Sequence, residues 1–151
     1  MPNKIRVFLD TSALFAGIWS SEGGARMVLK LGESGIISLF ISRQVLTEIE
    51  RVVRRKTPGE LGTLALLLER SNIDVLSGIS EDRLNKASAV VNHPGDARII
   101  AAAWSSGVDY FITLDQVHFL KNRKVRKLLP FDIGTPGDFL SWFKERLLRE
   151  K

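Results

Sequence analysis

Short apolar runs, rich in branched and aromatic side chains, alternate along this chain with longer amphipathic stretches. Residues 5–9, Ile-Arg-Val-Phe-Leu, are too few for a helix of ordinary length and too continuously apolar for a half-solvated strand. They predict a strand covered on both faces. Residues 36–41, 73–76, 110–114 and a run around 129–133 repeat the pattern. Helical spacing fills the intervals: a short piece over 13–18, a loop with Ser20, Ser21, Gly23 and Gly24, then a helix over about 25–33. Ser42 is suited to cap a helix that runs to about Arg55 and ends at the Thr57-Pro58-Gly59 turn. Leu61, Leu64, Leu67 and Leu68 mark a helix to about Arg70. Ser80, with Glu81 and Asp82 in the first turn, starts another that reaches Val91. A helix from Asp96 to about Ser106 closes at Gly107, and the last helix begins at Pro136.

Strands separated by helices imply βαβ units, hence an α/β fold with a mostly parallel sheet and helices on both faces. Strand order does not follow from this pattern. No repeat, low-complexity segment or linker divides the chain, so residues 1–151 read as one domain.

The composition narrows the chemistry. An apolar fraction of 44% suits a folded protein. Cysteine is absent, which removes disulfides, thiolate nucleophiles and cysteine-bound zinc. With 2 histidines, His93 and His118, a histidine-rich metal site is set aside. Catalysis must then rest on carboxylates, hydroxyls and cations. No segment approaches the roughly 20 apolar residues of a membrane span, and no basic leader precedes an apolar stretch, so a cytoplasmic location is expected. The net charge of +5 gives mild support to a polyanionic partner.

Asp10 ends the first predicted strand, and Thr11 or Ser12 can cap the helix behind it. Asp115 ends the fourth in the same way. Aspartate is common at strand ends as a turn residue, but two of them in one parallel sheet share an edge, where ligands collect. Asp96 precedes Ile99 and Ile100 by about one helical turn and projects onto their apolar face; its plain alternative is a helix cap. Glu48 and Glu50 flank the Val45, Ile49, Val53 stripe on opposite sides, and periodicity does not choose between them. Carboxylates converging without neutralisation repel, and a divalent cation resolves this. An all-oxygen set suits Mg²⁺ or Mn²⁺, an ion that can activate water and stabilise a phosphodiester under in-line displacement.

Other uses of this fold class lack their residues. A haloacid-dehalogenase-type phosphatase wants a second aspartate where Ser12 stands, and a receiver domain wants paired acids before the first helix. There is no Gly-x-Gly-x-x-Gly and no P-loop.

The acidic stretches resemble those of PIN-domain ribonucleases over nearly the whole chain. Val-Phe-Leu-Asp-Thr-Ser-Ala-Leu resembles the first motif through Asp10, and Ser-Arg-Gln-Val-Leu-Thr-Glu-Ile the second, selecting Glu48 over Glu50. Gly-Asp-Ala-Arg-Ile-Ile-Ala-Ala-Ala resembles the third through Asp96, and Tyr-Phe-Ile-Thr-Leu-Asp the last through Thr113 and Asp115. The resemblance implies a three-layer α/β/α sandwich whose carboxylates bind Mg²⁺ or Mn²⁺ and cleave single-stranded RNA. It also implies a toxin paired with an antitoxin protein, and a homodimer. One departure stands out: where the family often carries a further acid after the last aspartate, Gln116-Val117-His118 follows here. Asp132 and Asp138 read instead as a strand end and a first helical turn.

Ser12 and Thr113 are candidates to support the carboxylates. Lys121, Arg123, Lys124, Arg126 and Lys127 follow Asp115 and can hold phosphates electrostatically, as can Arg98 and the Arg51, Arg54, Arg55, Lys56 group. The same charges equally describe a solvated face. Trp19 is the aromatic placed to stack a base, whereas Trp104, Trp142 and Phe143 read as packing residues. A PIN-like module that binds RNA or a protein without cutting is the rival reading.

Overall fold

The first predicted strand, Ile5–Leu9 (β1), is the middle member of a 5-stranded sheet in a computed structural model that describes residues 4–20 and 22–150. The expectations placed on residues 1–3 and on Ser21 lie outside the described residues. Behind β1 come helices α1 (Thr11–Trp19) and α2 (Gly24–Glu33), strand β2 (Ile37–Ser42) and helix α3 (Arg43–Lys56). A 3-10 turn at Pro58–Glu60 leads into α4 (Leu61–Arg70), β3 (Asp74–Leu76) and α5 (Glu81–Ser88). Helix α6 (Pro94–Ser105), β4 (Tyr110–Ile112), a π turn (Gln116–Leu120), α7 (Arg123–Leu128), β5 (Asp132–Gly134) and α8 (Pro136–Arg149) complete the order.

All the pairings are parallel, in the order β3-β2-β1-β4-β5. The sheet grows from β1 to β2 and β3 on one side, then crosses over to β4 and β5 on the other. That reversal puts a topological switch point between β1 and β4, where open α/β sheets leave a crevice at the strand carboxyl ends. The register Val7↔Tyr110, Phe8↔Phe111, Leu9↔Ile112 carries Asp10 alongside Thr113 and leaves Asp115 just beyond.

Consecutive burial of Val7, Phe8 and Leu9 shows that both faces of the sheet are covered, giving the α/β/α layering. Helix α8 packs on β4, β5 and α2, while α3 and α6 pack on β2 and on each other. Phe8 and Phe111 stack across adjacent strands with ring centroids 5.4 Å apart, and both are fully buried. Each such ring contributes roughly 1.5–3 kcal/mol by leaving water, so the strand pair that carries the acids is anchored in the core.

Several boundaries differ from expectation. Asp10, rather than Thr11 or Ser12, is the N-cap of α1. His93, rather than Asp96, caps α6. The basic segment after Asp115 is not a bare connection: Asn122 caps it into α7, its side chain accepting from Val125 N–H at 3.1 Å. Strand β4 stops at Ile112, and β5 starts later than the hydrophobic run suggests, at Asp132, because Leu129 and Phe131 are buried as loop residues. Gly107 ends α6 with φ +66, a conformation that favours glycine.

Candidate metal centre

Asp10 leaves β1 at the switch point and is 4% exposed. Its Oδ1 accepts from the Ser12 hydroxyl at 2.7 Å and from Ala13 N–H at 3.0 Å, the second being the helix cap. Its Oδ2 accepts from the Thr113 hydroxyl on the neighbouring segment. Burial pushes the carboxyl up from 3.8 to about 6, against the pull of these three donors, with Asp115 adding to the rise.

Ser12 and Thr113 each serve twice. Besides donating to Asp10, the Ser12 hydroxyl accepts from Leu114 N–H at 2.9 Å, and the Thr113 hydroxyl accepts from Asp115 N–H at 3.0 Å. Two hydroxyls thus lock the Asp10 carboxylate to the backbone that presents Asp115.

Asp115 then caps the π turn, its Oδ1 accepting from His118 N–H at 3.0 Å. The wider turn is explicit in the backbone: Leu120 N–H donates to Asp115 O at 3.0 Å and Lys121 N–H to Gln116 O at 2.8 Å. Such turns are rare and recur at functional sites.

Helix α6 delivers Asp96 from its first turn, and helix α3 delivers Glu48. On α3, Gln44, Glu48, Val52 and Lys56 recur every four residues and form one row. Glu48, Val52 and Lys56 of that row line a cavity of about 380 Å³, together with Asp10, Thr11, Ser12, Phe15, Asp96, Ile99 and Asp115. Gln44 Nε2 donates to Glu48 Oε2 at 3.1 Å, and the Thr11 hydroxyl to Oε1 at 3.4 Å. Glu50 lies outside this row and is not among the cavity residues.

Burial raises the Asp96 carboxyl above its usual range; His118 and His93 oppose the rise, and Asp115 and Glu48 add to it. The carboxylates therefore repel one another within a partly desolvated space, a cost that a cation would relieve. The hydroxyl and amide donors fix their direction without neutralising them. Oxygen donors from Asp10, Glu48, Asp96 and Asp115 on one cavity fit a hard divalent ion such as Mg²⁺ or Mn²⁺.

Sequence reasoning passed over one residue here. His118 Nδ1 stands 2.8 Å from Asp115 Oδ2 and 3.4 Å from Asp96 Oδ2. The hydrogen bond with Asp115 raises the imidazole's pKa. The Asp-x-x-His spacing carried the signal, because the third residue of a capped turn folds back on its cap. His93 Nδ1 also lies 3.5 Å from Asp96 Oδ2, so both histidines of the chain flank one aspartate.

The basic candidates are placed differently. Arg98, Lys121, Arg123 and Lys124 are exposed and do not line the cavity; Lys56 does. Lys56 Nζ lies 5.7 Å from the centroid of the Phe15 ring, and Phe15 stacks on Trp19 at 4.7 Å and 14°. Trp19, 41% exposed, is thus one ring removed from the cavity. Asp132 opens β5 and Asp138 completes a capping box with Thr135, so neither belongs to the site.

A doubly wound parallel sheet with acids gathered at its switch point defines an α/β/α protein of the PIN type. The chain belongs to the PIN domain family, whose model matches residues 6–117. No curated protein matches it. Among solved structures, VapBC2 from Rickettsia felis bound to a promoter DNA fragment matches at 15% identity and TM-score 0.64, over 85% of this chain and 97% of that one. DNA-bound VapBC from Salmonella typhimurium matches at 18% identity and TM-score 0.65, over 87% and 98%. PAE2754 from Pyrobaculum aerophilum matches at 16% identity and TM-score 0.54, over 92% and 97%. At these identities the likeness is one of fold.

Proposed function

We propose that this protein is a metal-dependent endoribonuclease that hydrolyses phosphodiester bonds of single-stranded RNA, as the toxin of a toxin–antitoxin pair. The convergence of Asp10, Glu48, Asp96 and Asp115 on one cavity carries this reading. Membership of the PIN family, whose members are generally nucleases, supports it. The likeness to VapBC structures supports an antitoxin protein as partner.

In this reading Asp10, Glu48, Asp96 and Asp115 hold Mg²⁺ or Mn²⁺, which when bound supplies a Lewis acid and an activated water for in-line displacement at phosphorus. Ser12 and Thr113 hold Asp10 in one orientation, so the carboxylate cannot swing away when a polyanion enters. Gln44 and Thr11 do the same for Glu48. Lys56 attracts a phosphate to the mouth, and the Phe15–Trp19 pair offers an unpaired base an apolar face, which favours single strands over duplex. Arg98, Lys121, Arg123 and Lys124 add long-range attraction rather than contact with the reacting phosphate. Residues 1–151 act as one domain, as a homodimer in the cytoplasm; no described helix is long and apolar enough to cross a membrane.

Incubating purified protein with end-labelled single-stranded RNA, with and without Mg²⁺ or Mn²⁺, tests the proposal. Cleavage that requires the ion supports it. RNA that is retained but stays intact under every condition favours the non-cutting module instead.

A further inference from the structure

The two histidines beside Asp96 are committed differently. His93 is the N-cap of α6, and its Nδ1 accepts from Asp96 N–H at 3.3 Å, so its lone pair is already engaged. His118 Nδ1 faces the carboxylate oxygens of Asp115 and Asp96. The backbone that carries it is held in place. His118 N–H donates to Asp115 Oδ1 at 3.0 Å, and Asn122 Nδ2 donates to His118 O at 3.1 Å and to Val90 O at 2.9 Å. The π turn is thereby tied both to its own cap and to the segment that follows α5.

Asp96, Asp115 and His118 present one ligand atom each, all within 4.8 Å of one another. Around a six-coordinate ion with bonds of about 2.1 Å, neighbouring ligand atoms lie about 3 Å apart and opposite ones about 4.2 Å. His118 Nδ1 lies 2.8 Å from Asp115 Oδ2 and 3.4 Å from Asp96 Oδ2, close to the spacing of neighbouring ligands. His118 stands in the region of the chain where an additional carboxylate would have completed an all-oxygen set.

We propose that His118 Nδ1 is a ligand to the cation held by Asp96 and Asp115, and that this nitrogen makes the centre prefer Mn²⁺ over Mg²⁺. The inference rests on the metal-dependent reading above. Mg²⁺ is a hard ion that takes oxygen donors and parts reluctantly with its water, whereas Mn²⁺ and later ions accept imidazole more readily. A neutral imidazole in place of a carboxylate also removes one negative charge from the donor set, which weakens the purely electrostatic hold on Mg²⁺.

The test is pulsed EPR of the full chain loaded with Mn²⁺ and without RNA, alongside calorimetric titration with Mn²⁺ and Mg²⁺. Wild type and His93→Asn, whose asparagine can still cap α6, should both show ¹⁴N coupling to Mn²⁺. His118→Asp should lose it, and its ratio of Mn²⁺ to Mg²⁺ affinity should fall about tenfold or more. Incorporating ¹⁵N-histidine into the wild type should convert the coupling to that of ¹⁵N, a readout that needs no variant. Mn²⁺ bound without nitrogen coupling, or coupling lost in His93→Asn and kept in His118→Asp, overturns the histidine ligand and leaves the carboxylate centre standing. Wild-type protein that binds neither ion overturns the ligand and the reading beneath it together.

Discussion

Thr113 and Asp10 stand 103 residues apart in sequence, and the Thr113 hydroxyl donates to Asp10 Oδ2 at the edge of the sheet. Both are buried, at 0% and 4% exposure, so the bond is shielded from water. The parallel register of β1 and β4 brings the two residues level, and the hydroxyl then passes the connection on to Asp115 N–H. One threonine therefore joins two of the acids proposed to surround a cation.

Removing that hydroxyl should leave a buried carboxylate short of a donor. Thr113→Val is expected to destabilise the chelator-treated protein by about 1–3 kcal/mol at neutral pH, measured by urea unfolding. Thr113→Ser should recover most of the loss. Equal loss in both variants would assign the effect to packing of the methyl group instead.

The pH dependence of the metal-free protein has a defined sign. Burial raises the Asp10 carboxyl from 3.8 to about 6, so between those values the folded state holds the proton more tightly than the unfolded state. Stability from this group is full at the acid end, falls as pH rises through that window, and is level above it. The loss is on the order of 3 kcal/mol. Asp10→Asn should remove this component, so that its stability relative to wild type rises between pH 4.5 and pH 7 in chelator. Parallel stability profiles for the two proteins would contradict the assignment.

Glu48 and Glu50 separate by function. Glu48→Gln should lower RNA cleavage at limiting Mn²⁺ by about tenfold or more. Glu50→Gln, away from the cavity row, should stay within about twofold of wild type, the range of an ordinary surface change. The reverse ranking would displace Glu48 from the site.

Lys56 is expected to act through phosphate. Lys56→Ala should weaken RNA binding similarly for all single-stranded sequences and reduce the slope of log affinity against log salt by about 1. Filter binding to a non-cleavable oligonucleotide over a salt series measures it. An unchanged slope would remove Lys56 from the binding path.

The fold class was legible because the buried strands are short, largely apolar runs and most of the longer helices carry 3.6-residue stripes. The order β3-β2-β1-β4-β5 was not, because pairing depends on contacts between segments far apart in sequence, such as Phe8 with Phe111. Asp10 and Asp115 stood out at strand ends, and Asp96 by sharing a face with Ile99. What separates Glu48 from Glu50 is the tertiary cavity, which Glu48, Val52 and Lys56 line and Glu50 does not. His118 stayed hidden because two histidines 25 positions apart carry no periodic signal, and a π turn leaves no hydrophobic pattern. The basic helix α7 was missed for a related reason: a short, strongly charged segment with Val125 as its one fully buried side chain has almost no apolar stripe to read.

The most direct test compares wild type with Asp96→Asn on labelled single-stranded RNA in Mn²⁺, after circular dichroism has shown that both are folded. Wild-type cleavage should vanish on adding chelator and return with excess Mn²⁺. Asp96→Asn should cut more slowly by about a hundredfold at limiting Mn²⁺. RNA cleaved at equal rates by both proteins, or by wild type regardless of chelator, would contradict a carboxylate-held metal as the centre of this protein's chemistry.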